Sequence, residues 1–179
     1  VRHIRDSITS LAGVSYHTGD HKVDVSVRII TDHLRSMVFM IGGGVLPRNE
    51  GRGYILRRLI RRAARHGRLL GITDPNFLSK EADKVIEVSG GAYTELVEKQ
   101  DYIKKIIRIE EEKFAKTLDK VMSILEDYIS EIDASGETVL DGEKVFKLYD
   151  TYGFPFEVTE EILEENGKEI DMYGFNVHM

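Results

Sequence analysis

Apolar residues in this chain recur mainly at three- and four-residue spacing, the mark of helices buried along one face. Ile4, Ile8 and Leu11 predict a short helix ending near Gly13. Val23, Val27, Ile30, Leu34, Val38 and Ile41 predict a longer one, stopped at Gly42, Gly43 and Gly44. Beyond Pro47, a run of good helix formers from Tyr54 to Leu70 sets Ile55, Leu56, Leu59, Ile60, Ala63 and Ala64 on one side of a third helix. ITDPNFLSKEAD then turns the chain, with Ser79 as the expected N-cap of a helix through Val85 and Val88. After the Gly90–Gly91 break, a highly charged helical stretch runs from Thr94 to about Ile132. Its stripe of Ile103, Ile107, Phe114, Leu118, Val121, Leu125 and Ile132 predicts packing against a partner helix, in the same chain or in another copy. A short strand is expected at Thr138 to Leu140, and Asp141 caps a helix through Phe146 to Tyr149. Pro155 ends the YDTYGFP turn, and Thr159 caps a last helix, EEILEENG. The pattern predicts an all-α fold: an irregular helical bundle with a long charged helix or helical hairpin and at most a minor short strand. One domain over residues 1–179 is expected, divisible into an arginine-helix bundle at 1–90 and the long helix plus YDTYGFP at 91–179.

Composition narrows the class. Hydrophobic content of 41% with charged content of 31% belongs to a globular chain, not a disordered one. The absence of cysteine excludes disulfides and thiolate metal sites. No run approaches the ~20 apolar residues that span a bilayer, and VRHIRDSITS has no signal-peptide core. A cytoplasmic protein, without membrane partners, is expected. The missing initiator Met and the end at NVHM read as a piece cut from a longer protein.

Charge changes the picture more. The formal net charge is -6, yet Arg48, Arg52, Arg57, Arg58, Arg61, Arg62, Arg65 and Arg68 crowd into LPRNEGRGYILRRLIRRAARHGRLLG. Like charges at i, i+4 oppose a helix by a few tenths of a kcal/mol per pair. An anion would offset that cost, and a polyanionic backbone is the leading candidate. The alternative is pairing with acidic residues elsewhere in the chain. Glu50, near the start of this helix, suits the positive end of its dipole. Gly42 to Gly44 are a helix stop and no phosphate loop, since no GK[ST] follows. His17 and His21 flank Asp20 but find no third ligand, so no metal site is expected. His33 is expected to make local hydrogen bonds within its helix. No nucleophile–base pair or carboxylate dyad is visible, so no catalytic residue is assigned. Two further polar residues stand out. Asn49 precedes the cationic helix as an N-cap or a binding residue, and Asp150 in LYDTYGFP is a turn former or a binding residue.

VLPRNEGRGYILRRLIRRAARHGRLLG closely resembles the signature of alanyl-tRNA synthetases, with RIITDHLRS before it and KLYDTYGFPFEVT after it in that family's order. The resemblance spans about Val23 to Glu165 and is weakest between Tyr93 and Glu137. It implies the helical tRNA-recognition domain that follows a class II catalytic domain, with tRNA as partner and the catalytic and editing domains as neighbours. ATP and magnesium then belong to the parent enzyme and zinc to its editing domain. None of these is expected on this chain, which alone should not aminoacylate. The family reads a G:U wobble pair in the acceptor stem with an Asn and an Asp, which match Asn49 and Asp150 by motif position. The helical wheel sets Arg57, Arg58, Arg61, Arg62 and Arg65, with Arg52 before them, as the expected phosphate contacts, the alternative for some being pairing with the catalytic domain. Two positions depart from the family: Gly43 stands where Asp is usual, and Arg48 where a small residue such as Ser is common. The rival readings are a sequence-indifferent nucleic-acid-binding module and an interaction domain whose arginines meet an acidic protein.

Overall fold

The computed structural model describes residues 1–16 and 20–178. Among the described residues, helices account for nearly all regular structure, with two two-residue strands. The chain forms two compact units, Val1–Lys113 and Phe114–Met179. The Gly90–Gly91 pair therefore lies inside the first unit, and the division falls within a helix.

In the first unit α1 is Arg2–Ala12, α2 His21–Gly42, α3 Gly51–Leu69, α4 Phe77–Ser89 and α5 Thr94–Glu98, followed by the start of α6 (Gln100–Ser135). Gly13 ends α1 in the left-handed conformation expected of a helix-terminating glycine. Asp20 starts α2, its carboxylate accepting from the N–H groups of Lys22 and Val23 at 3.1 and 3.3 Å. That explains the role of the Asp between the two histidines; the expectation about His17 lies outside the described residues. α2 is the central helix, packed on α1, α3, α4 and α5. Ile4, Ile8, Val27, Ile30, Leu34, Leu56, Ile60, Leu78, Val85, Ile103 and Ile107 make one core, close to the set that periodicity marks. Gly67 of α3 meets α4 so closely that a Cβ there would sit 2.3 Å from the Phe77 ring.

The second unit contains the rest of α6, then β1 (Val139–Leu140), α7 (Gly142–Tyr152), α8 (Phe156–Glu165), β2 (Glu169–Ile170) and α9 (Met172–His178). Phe114, Leu118, Val121 and Leu125 are buried, as are Leu148, Phe154, Val158 and Ile162. The Phe114 and Phe154 rings lie 5.5 Å apart. β1 and β2 pair in parallel, Val139 opposite Glu169 and Leu140 opposite Ile170. Asp141 caps α7 by accepting from the Glu143 N–H at 3.1 Å.

Two expected caps are corrected. α4 begins at Phe77, with Asn76 in the cap position, and Ser79 lies inside its first turn with its hydroxyl bonded to the Asn76 carbonyl. α8 begins at Phe156 after Pro155, which needs no N–H partner at a helix start, and Thr159 is fully buried within the helix. β2 and α9 are additions to the elements the pattern predicts.

Candidate nucleic-acid interface

α3 grows out of a folded loop. The Arg48 N–H donates to the Gly53 carbonyl at 3.0 Å, laying residues 46–48 back across the first turn of the helix. Only a glycine permits this: a Cβ at position 53 would lie 2.5 Å from the Leu46 carbonyl oxygen and 2.6 Å from the Arg48 Cβ. Gly51, at φ 63°, makes the positive-φ turn into the helix. Asn49 is exposed at the crest of this loop. Glu50 holds the N-cap position of α3 without a side-chain cap bond.

The arginines do not form one solvated stripe. α3 is packed on more than one side, so Arg61 and Arg65 are each only 5% exposed while Ile55 is exposed. Arg57, Arg58 and Arg62 are half-buried, and Arg48, Arg52 and Arg68 are exposed. At about 100° per residue, Arg58 and Arg62 share one side of α3 with buried Arg65 and exposed Leu69, so that side is itself partly covered.

Glu110 explains part of the burial. Its carboxylate is 2% exposed, and one oxygen, Oε1, accepts from Arg57 Nε at 2.8 Å and Arg61 Nε at 2.9 Å. Burial pushes the Arg61 guanidinium below its ordinary value, and Glu110 opposes that shift. Arg57 also donates through Nη1 to Asn49 Oδ1. Asn49, Arg57, Arg61 and Glu110 thus form one hydrogen-bonded chain from surface to interior. Pairing with an acidic residue of the same chain is therefore real for Arg57 and Arg61.

Glu110 escaped the sequence reading although a signal was present. At i+3 from Ile107 and four before Phe114, it occupies the apolar stripe of α6. A carboxylate in such a slot needs a buried cation. Its neighbour Glu111 is also buried and accepts from the N–H groups of Leu78 and Ser79 at 3.0 and 2.8 Å, capping α4 from α6. Burial raises the Glu111 carboxyl to about 8, against the pull of those N–H donors. Two histidines join α2 to α3: Arg62 Nη1 donates to His33 Nε2 at 3.2 Å, and His66 Nδ1 meets Ser26 Oγ at 2.9 Å. A guanidinium only donates, so His33 Nε2 is the acceptor. His33 thus bonds between helices, to Arg62 of α3.

Asp150 lies in the second unit, exposed near the end of α7. Gly153 terminates that helix at φ 61°, and the Phe154 N–H returns to the Leu148 carbonyl at 3.2 Å with its ring buried. The YDTYGFP segment is thus a helix end anchored by one phenylalanine.

Residues 1–179 match the family described as tRNA synthetases class II (A), and the chain belongs to that family. The alanine–tRNA ligase of Thermoanaerobacter sp. (strain X514) is 53% identical over 175 residues, covering 98% of this chain and 20% of that protein. The alanine–tRNA ligases of Alkaliphilus metalliredigens (strain QYMF) and Clostridioides difficile (strain 630) are each 52% identical over 179 residues. The chain spans about a fifth of the length of the curated relatives it matches. No helix among the described residues is long and apolar enough to cross a membrane.

Proposed function

We propose that this chain is the tRNA-recognition domain of an alanine–tRNA ligase, reading the G:U pair of the acceptor stem with Asn49 and Asp150. The observation that carries this reading is the Asn49 loop, seated on the arginine helix in a chain similar along its whole length to alanine–tRNA ligases. In A-form RNA the minor groove is wide and shallow, and a wobble pair leaves the guanine 2-amino group without a base partner. A carboxylate only accepts, so Asp150 suits that amine. An amide donates and accepts, so Asn49 suits base edges or a 2′-hydroxyl. Exposed Arg52 and the half-buried Arg58 and Arg62 grip phosphates and set position, not sequence. Among the described residues no group of three His, Asp or Glu is placed to hold a metal ion. ATP, magnesium and zinc chemistry is assigned to other regions of such a ligase, in the cytoplasm, and no step is routed through this chain.

Fluorescence anisotropy with acceptor-stem hairpins tests the reading. The chain is expected to bind a G:U hairpin more tightly than its G:C counterpart. Asn49→Ala and Asp150→Ala should each remove that preference, a loss of about 1–3 kcal/mol in discrimination. Preference retained in both variants would refute the readers.

A further inference from the structure

Asn49 sits on an exposed loop, where an amide would ordinarily sample several rotamers and both flips. Here it is tied to something rigid. Arg57 gives Nη1 to Asn49 Oδ1 and Nε to Glu110 Oε1, so one planar guanidinium spans the loop and the interior. Glu110 is almost wholly buried, is fixed on α6, and is shared with buried Arg61. A guanidinium has no acceptor, so it can face only the oxygen end of the amide, and that settles the polarity of Asn49. Both donors that define the aim of the fork are committed within the protein.

We propose that Arg57 is a positioning residue, aimed by the buried Glu110 carboxylate at Asn49, and that it is not one of the phosphate contacts. Base selectivity then runs through a carboxylate that never meets the RNA. This rests on the reading of Asn49 given above, and it removes Arg57 and Arg61 from the phosphate-binding set that the sequence marks out.

The two roles of Arg57 differ in what salt does to them. A phosphate contact contributes about 0.9 to the slope of log K against log[salt], irrespective of the base pair, whereas a positioning residue contributes selectivity and almost no slope. Binding of G:U and G:C hairpins across a salt series would be measured for the chain, Arg57→Gln, Arg57→Lys, Glu110→Gln and Asn49→Ala, with circular dichroism to report folding. The lysine keeps the charge but cannot span Glu110 and Asn49 together. Arg57→Lys is expected to lose the G:U preference by about tenfold, with its slope unchanged, and Glu110→Gln to do the same. Should Glu110→Gln fail to fold, the two Arg57 variants decide, because they leave the Glu110–Arg61 pair in place. Intact preference in Arg57→Lys, or an Arg57→Gln slope flatter by about 0.9 with preference retained, would overturn the proposal while Asn49→Ala still loses preference. If Asn49→Ala also keeps it, the underlying reading of Asn49 falls instead.

Discussion

Glu110 shows how much one residue can carry. One of its carboxylate oxygens accepts from two arginines, one of them nearly inaccessible to water. Removing the carboxylate takes from buried Arg61 the ion pair that Glu110 supplies, a change that costs about 3–5 kcal/mol in comparable settings. Glu110→Ala should lower the urea midpoint accordingly at unchanged slope. Glu110→Ala combined with Arg61→Met should recover a large part of the loss, because the buried charge goes with it. The pair was hard to see from sequence, because Arg61 and Glu110 stand far apart in the chain and only the misplaced polarity of the α6 stripe linked them. Asn49 stands in the loop before the cationic helix, as its nearness to Pro47 implies, but the N-cap position open to it in sequence falls to Glu50.

At the scale of elements, what was legible was whatever repeats. α1, α2, α3 and the stripe of α6 follow from spacing, because a helix longer than three turns shows its period several times. β2 is two residues long and shows none. α9, MYGFNVH, is only seven residues long and carries a glycine, so its one signal is Asp171, whose carboxylate accepts from the Gly174 N–H at 3.0 Å. Ser79 and Thr159 were misread because both can cap a helix, yet Phe77 and Pro155 had already placed the starts upstream. The cap of α4 is instead supplied from another helix, by Glu111. In the folded chain this carboxyl titrates near 8, well above its ordinary range, so between those values the native state holds a proton that the unfolded chain has released. Its contribution is therefore fully present below about pH 4.5 and is lost as pH rises through about 8. Urea titrations from pH 5 to pH 9 should show that decline, on the order of a few kcal/mol, and Glu111→Gln should flatten it.

At the scale of the molecule, the formal charge of -6 understates one feature and the arginine count overstates another. The cationic surface is local, but Arg57, Arg61 and Arg65 are half-buried or buried, the first two spent on Glu110. If Arg48, Arg52, Arg58, Arg62 and Arg68 make the contacts with RNA, the slope of log K against log[salt] should be about -4 to -5, against about -7 for all eight arginines. Anisotropy at 50 to 300 mM salt distinguishes the two; a slope near -7 would put the inner arginines on phosphates after all.

Glu110 and Glu111 are consecutive, yet one is turned to α3 and the other to α4. Neighbouring residues on a helix point about 100° apart, so the two carboxylates check the phase of α6 from two directions at once. Deleting or inserting one residue between Gln100 and Ile109 would swing both away together, breaking the Glu110–Arg61 pair and uncapping α4 in one step. The opening turns of α6 are therefore free to vary in residue type on the solvent side, but not in length.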